Sequence, residues 1–264
     1  MGDASSPDKT LMRRAFERAA GSYDAAANLQ RTVCARLGEL LEEVPVSPRR
    51  ILDAGSGTGF GATVLGPRFP VAQIIELDIA HGMLQVSRAK RGGSQAVCGD
   101  IESLPLAGAA FDLVWSSLAL QWSTAPARAF GEIHRVLRPG GWLHASTLGA
   151  DTLWELRAAF DGVDPHSHVN RFDGVAHLEA EIGAAGLAIH RVVRRQVTLR
   201  YASVRTVLHD LKAIGAHNVT GGRPTGLMGK ARWRQVEANY ESRRSEGTLP
   251  ATYEVIYVLA QRPE

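Results

Sequence analysis

The apolar positions change period along the chain. Over residues 8–21 and 25–44 they recur at the spacing of one helix face, in Ala-rich sequence, and Gly21-Ser22-Tyr23-Asp24 separates the two stretches. Two N-terminal helices are expected there. From Arg50 short apolar runs take over: "RILDAG", "AQIIELDI", "QAVCGDI", "FDLVWSSL" and "GGWLHASTL". Between them lie helical segments over about 59–68, from near His81, and through "ARAFGEIHRVL". Strands alternating with helices predict an α/β fold, a parallel sheet with helices on both faces. Arg138-Pro139-Gly140-Gly141 is expected to stop the helix before the fifth strand.

Beyond Gly149 the rhythm loosens. Asp151 is expected to cap a helix over 152–160, "DGVDPHSHVNRFDG" to be a loop, and 174–185 to be helical. The alternating stretches "AIHRVVRRQVTLRYA" and "TYEVIYVLAQR" predict strands. Helices over about 203–215 and 229–246 lie between them, joined by "NVTGGRPTG". No internal repeat or low-complexity linker interrupts the pattern, so one domain with inserted helices is expected over 1–264.

Composition is that of an ordinary globular protein, 45% apolar and 22% charged, which argues against a disordered or fibrous chain. Cys34 and Cys98 have neither a CxxC nor a Cys/His spacing, so no disulfide framework and no metal site is expected. Neither a secretory leader nor a membrane span is expected, and a cytoplasmic location follows from that. The net charge of +3 hides an asymmetry: from Arg191 to Arg244 there are twelve Lys and Arg against three Asp and Glu. This basic third suits either solvent or an acidic partner. Nucleic acid is disfavoured, because no basic block is interleaved with aromatics and no helix-turn-helix or zinc-finger spacing occurs.

The stretch "ILDAGSGTGFG" over 51–61 carries the sharpest chemistry. Its glycines are spaced Gly55-x-Gly57-x-Gly59, which is neither the GxGxxG of a dinucleotide loop nor a Walker loop with its lysine. The pattern DxGxGxG at a first strand's end instead resembles the cofactor loop of class I S-adenosylmethionine-dependent methyltransferases. Small residues there let backbone approach the aminoacyl end of a cofactor that has no pyrophosphate. Asp78 ends the second strand, 25 residues after Asp53, and Asp100 follows the third. Each acid alone also suits a cap or turn, but three at successive strand ends fit a ligand site. The resemblance implies a Rossmann-like, seven-stranded mostly parallel sheet. It implies cofactor contacts at Asp53, Gly55, Ser56, Gly57, Gly59, Asp78, Ile79, Met83, Asp100, Ile101, Ser117 and Leu118. Asp78 would take the ribose hydroxyls. Asp100 would take the adenine amino group, with Ile101 and Met83 flanking the ring.

A narrower resemblance runs from about Arg14 to Ala260. "RAFERAAGSYDAAANLQR", "GDIESLPL", "FDLVWSSLALQW", "HRVLRPGG", "STLGADTLWELR", "HVNRF", "LKAIGAHN" and "LPATYEVIYVLA" are together similar to the malonyl-[acyl-carrier protein] O-methyltransferases of biotin synthesis, the BioC family. That resemblance implies methyl transfer from S-adenosylmethionine to the free carboxylate of malonyl-acyl carrier protein. It divides the chain into a helical lid over 1–46, a cofactor-binding core over 47–150 and a substrate side over 151–264. Ser117 stands where asparagine is expected and Thr58 where proline is common. "DTLWELR" and "LPATYEVIYVLA" also resemble a complex I assembly factor that hydroxylates arginine, and a methyltransferase of another small carboxylate or of a quinone precursor stays open.

A malonyl carboxylate is ionised at neutral pH and needs no general base, so positioning is expected to dominate. Tyr23, Gln121, Trp122, His168, Asn170 and Arg171 are the candidate acceptor-side residues, and Arg157 is a second candidate anchor. Helix packing, core burial and surface exposure compete as roles for Tyr23, Trp122 and Arg171 respectively. Acyl carrier protein is acidic, so the basic third, with Arg194, Arg195, Arg232 and Arg234, is expected to dock it.

Overall fold

The computed structural model describes residues 8–92, 95–164, 169–215 and 228–264. Strands β1 (Arg50–Ala54), β2 (Gln73–Asp78), β3 (Gln95–Cys98), β4 (Phe111–Ser117), β5 (Leu137–Leu148), β6 (Ala188–Tyr201) and β7 (Leu249–Gln261) form one sheet in the order β3-β2-β1-β4-β5-β7-β6. Only β7 runs against its neighbours. The expected seven-stranded, mostly parallel sheet is the one found. Its strand order reverses between β1 and β4, and such a switch point opens a crevice at the strands' carboxyl ends.

The helices are α1 (Lys9–Ala19), α2 (Tyr23–Ala26), α3 (Asn28–Glu39), α4 (Phe60–Arg68), α5 (His81–Arg91), α6 (Pro126–Val136), α7 (Trp154–Phe160), α8 (Val175–Ala184), α9 (Val204–Ala213) and α10 (Lys230–Glu241). Asp8 caps α1, accepting from the amides of Thr10 and Leu11, and Ser203 caps α9. The two-residue strand period sorts the core into two layers. Ile51, Leu113, Trp115, Tyr253, Val255 and Tyr257 pack on the side of α3, α7, α9 and α10. Leu52, Val114, Leu143, Ile256 and Val258 pack on the side of α6 and α8.

Three expectations need correction. The helix expected over 25–44 is α2, α3 and a 3-10 turn, because Ala27 leaves helical geometry at ψ 43°. Asp151 caps nothing: α7 starts at Trp154 after Leu153, whose φ of 55° reverses the chain, and Arg194 draws the Asp151 carboxylate. The helix expected to reach residue 246 ends at Glu241.

One departure from a flat-topped sheet positions the site. Pairing of β5 with β7 stops at Leu148 opposite Val255, while β7 continues to Leu249 opposite Tyr201 on β6. The β6–β7 ribbon therefore overshoots the sheet and walls the crevice. Among the described residues no helix is long and apolar enough to cross a membrane.

Candidate functional site

Hydrogen bonds stitch the glycine loop onto β2. The amides of Gly55 and Ser56 both donate to the Leu77 carbonyl, at 2.7 and 2.9 Å. Gly55 has φ +77°, and a Cβ there would stand 2.2 Å from that of Ala119, so the loop and the β4 segment meet through the missing side chain. Gly61 does the same beneath the loop, where a Cβ would lie 2.3 Å from Asp53 Oδ2. That fourth glycine was visible in the stretch 51–61 and carries a role the DxGxGxG spacing did not assign. Gly59 does not line the crevice, and a Cβ there would point at Ser87 and Arg91 instead.

The crevice is a cavity of about 190 Å³, and Asp53, Asp78 and Asp100 reach it from the ends of three successive strands. Asp53 is 1% exposed, and burial, then the neighbouring Glu76, push its carboxyl well above the usual range. Glu76 is itself buried, accepting from Ser87 at 2.7 Å and paired with Arg91. Asp78 is held at both oxygens, Oδ1 by the Ala80 amide at 2.8 Å and Oδ2 by the Gly57 amide at 2.9 Å. Burial outweighs these bonds and raises its carboxyl to about 6. Each oxygen keeps acceptor capacity on its free side, the requirement for a paired hydroxyl donor such as a ribose. Ser56, Ile79, Met83 and Ile101 line the same wall, with Ser117 and Leu118 at the end of β4.

Of the two departures from the family pattern, Thr58 donates to Asp24, pinning the loop to α2. Ser117 accepts from Ser146 at 3.3 Å, and the following Leu118 adopts φ 51° to turn into the cavity.

Helix α1 lies across the cavity. Lys9 bonds Asp100 at 2.6 Å and also pairs with Glu102. Burial raises the Glu102 carboxyl, but Lys9, Ser123 and the amides of Thr124 and Ala125 together hold it down at about 2. Phe16 meets the edge of Trp122 at 5.3 Å, and Met12 packs against Trp122 and Ile79. The Lys9 bridge was not legible in the sequence, since nothing local to Lys9 points to residues more than 90 positions away.

On the acceptor side, Tyr23, Gln121, Trp122 and Asn170 line the cavity, joined by Gln30, Thr152 and Tyr253. Burial, then Asp78 and Asp24, push the Tyr23 hydroxyl up, so it is a neutral donor. Tyr253, from the overshooting ribbon, hydrogen bonds with Tyr201, which in turn bonds Asp210. Two candidates are not in this cavity. Arg171 is exposed and lines a neighbouring cavity, although Asn170 beside it is 7% exposed. Arg157 folds back onto the carbonyls of Thr152 and Ala150, satisfying the irregular turn before its own helix. His168 lies outside the described residues.

Five lining atoms are buried without a hydrogen-bond partner: Gln30 Oε1, Asp53 Oδ2, Ser56 Oγ, Gln121 Oε1 and Asn170 Oδ1. Buried polar atoms are ordinarily satisfied, so this set marks where a polar ligand belongs. A ligand with an ammonium, a sulfonium and ribose hydroxyls fits Asp53, Ser56 and Asp78 on the glycine-loop wall, where the raised carboxyls gain from nearby positive charge. The doubly wound sheet with this wall at its switch point is that of a class I S-adenosylmethionine-dependent methyltransferase.

Comparison with known proteins narrows the class. A family model described as a methyltransferase domain matches residues 52–145. The chain is 52% identical to the malonyl-[acyl-carrier protein] O-methyltransferase of Gallionella capsiferriformans (strain ES-2), covering 97% of this chain and 91% of that one. It is 41% identical to the biotin biosynthesis bifunctional protein BioHC of Cellvibrio japonicus (strain Ueda107), covering 98% of this chain and 51% of that protein. The solved YcgJ protein of Bacillus subtilis shares the fold at a TM-score of 0.61 and 20% identity, over 86% of this chain and 98% of that one. The chain belongs to the malonyl-[acyl-carrier protein] O-methyltransferase family.

Proposed function

We propose that the protein transfers the methyl group of S-adenosylmethionine to the free carboxylate of malonyl-acyl carrier protein, the masking step that opens biotin synthesis. The near-full-length match to a malonyl-[acyl-carrier protein] O-methyltransferase carries this reading. Asp53, Asp78 and Asp100, with Ser56, Ile79, Met83, Ile101 and Leu118, would hold the cofactor, whose sulfonium supplies an activated methyl group.

The lining chemistry supports a carboxylate nucleophile. Among the described residues no histidine lines the cavity, and its lysine, Lys9, is engaged by two acids. An acceptor that needs a base is poorly served by this set, whereas a carboxylate ionised at neutral pH already carries its attacking pair. The expected arginine grip is also missing from the described lining. Tyr23 is left as the neutral donor that orients the malonyl group, with Gln121 and Asn170 in the wall beside it. Neutral donors suit the step, because carboxylate and sulfonium lose their charges together and a buried cation would stabilise the ground state more than the transition state.

Carrier docking is assigned to part of the basic third. Arg194 is committed to Glu254 and is better read as structural, as are Arg205 with Glu237 and Arg244 with Glu241. Arg195, Arg232 and Arg234 have no acidic partner among the described residues and remain to steer an acidic carrier. Charge reversal at these three is expected to raise KM for the carrier-linked substrate more than for a small malonyl thioester, and equal effects on both exclude docking there. The reaction itself is tested by mass spectrometry of malonyl-, acetyl- and succinyl-acyl carrier protein incubated with S-adenosylmethionine. One added methylene on the malonyl carrier alone is the expected result. No addition to any carrier, with cofactor binding demonstrated, overturns the reading.

A further inference from the structure

A second cavity, of about 350 Å³, adjoins the first between the amino end of α6, helix α8 and residues 170–173. The two share Gln121, Ser123, Leu148, Asn170 and Phe172 as lining, so these residues form a partition with one face toward each space. Deeper in, the second cavity sets buried Thr147 among apolar Leu120, Ala129 and Phe130, and Thr124 lines it from an exposed position. Its outer part is lined by exposed Arg171 and by His177, which lies 3.8 Å from both Asp173 and Glu181. The partition carries two unpartnered acceptors. Gln121 donates through Nε2 to the Leu118 carbonyl at 2.8 Å, which fixes its amide and leaves Oε1 buried and unbonded. Asn170, more than nine-tenths buried, leaves Oδ1 in the same state.

We propose that this second cavity is the passage for a 4′-phosphopantetheine arm, delivering its thioester end through the Gln121–Asn170 partition and leaving its phosphate by Arg171. The inference rests on the reading above that the acceptor is carrier-linked. Such an arm alternates methylene segments with two amides, and two amide N–H groups match two buried acceptors that otherwise lack donors. The mixed lining suits that alternation better than it suits an acyl chain, which has no donor to offer. The outer end also carries Asp173 and Glu181, which face His177, so among the described residues Arg171 is the one lining group suited to a phosphate diester, and arginine is the side chain that grips one bidentately. The placement also gives Arg171 a role beside the acceptor site without putting a guanidinium on the attacking carboxylate.

The test fills the passage from its exposed end with His177→Trp and, separately, reverses its charge with Arg171→Glu, sites at which folding is easily confirmed by thermal melting. Binding of 4′-phosphopantetheine itself is read by NMR line broadening, which needs no turnover. Wild-type binding that weakens at least about tenfold in both variants supports the passage, each tenfold being about 1.4 kcal/mol. No wild-type binding, or binding equal in all three proteins, overturns it. Kinetics give the second readout. The ratio of kcat/KM for malonyl-acyl carrier protein to that for malonyl-N-acetylcysteamine, a truncated arm, is expected to fall about tenfold in His177→Trp. An unchanged ratio refutes the passage. Wild-type methylation of malonyl-acyl carrier protein reports separately on the underlying reaction, so the two ideas fail by different results.

Discussion

Replacing Gly61 by alanine sets two effects of opposite sign against each other. Near the start of α4, alanine is the better helix former by up to about 1 kcal/mol, so propensity alone makes the variant more stable. The cavity floor decides otherwise. The new methyl would stand 2.3, 2.8 and 2.9 Å from Oδ2, Cγ and Oδ1 of Asp53, a group 1% exposed. That is roughly 1 Å inside van der Waals contact, and overpacking of this kind costs about 1–3 kcal/mol. The net expectation is a loss of about 1 kcal/mol, read as a fall in Tm of about 2–4 °C for a chain of this size. Cofactor affinity, measured by calorimetry, is expected to fall about tenfold as Asp53 is displaced beneath the loop. Asp53→Ala supplies the control: in that background Gly61→Ala is expected to stabilise, since only the propensity effect remains. A Gly61→Ala protein with raised Tm and unchanged cofactor affinity would refute the claim that Asp53 is held tightly beneath the loop.

Asp78, raised to about 6, gives a pH dependence with a definite sign. The ionised form that accepts two hydroxyls prevails above that pH, so cofactor Kd is expected to rise by up to about tenfold per unit below it, and a flat profile from pH 7 to 5 excludes Asp78 as a contact. Because the folded-state value lies above the ordinary 3.8, ligand-free stability moves the other way: the contribution is fully present below about 4 and is lost as pH rises through about 6. Asp78→Asn is expected to abolish both trends. Glu102, held at about 2, has the opposite linkage, so its contribution is present above the ordinary value of 4.5 and lost as pH falls through about 2. Lys9→Met removes the cation that ties α1 to Asp100 and Glu102, and amide exchange in α1 is expected to speed up about tenfold while exchange in β1 and β4 holds. Uniform acceleration, or none, rules out the bridge as the tether.

Much of the glycine-loop and carboxylate wall was legible because its signals are local. A glycine loop and strand-end carboxylates are fixed by their place on β1, β2 and β3, and the period-two pattern locates those strands. The acceptor side was less so. Tyr253 sits 200 residues from Asp53, and only the register of β6 against β7 brings it to the cavity. Asn170 and Arg171 are neighbours without helical or strand periodicity, so nothing local says that one is buried and the other exposed. Arg157 misled for a related reason: the reversed conformation of Leu153 leaves carbonyls at 150 and 152 that consume its guanidinium.

The ribbon formed by β6 and β7 acts as a ruler whose length can change only in steps of one residue. Each strand residue advances the chain by about 3.3 Å and flips the side chain to the opposite face. Inserting one residue opposite Val197 would turn Tyr253 out of the cavity and Thr252 in, exchanging the wall's chemistry. Adding two to each strand would instead preserve the facing and raise the wall by about 7 Å. A lineage shifting toward longer acceptors would therefore be expected to lengthen this ribbon in matched pairs, and odd-numbered changes to be purged.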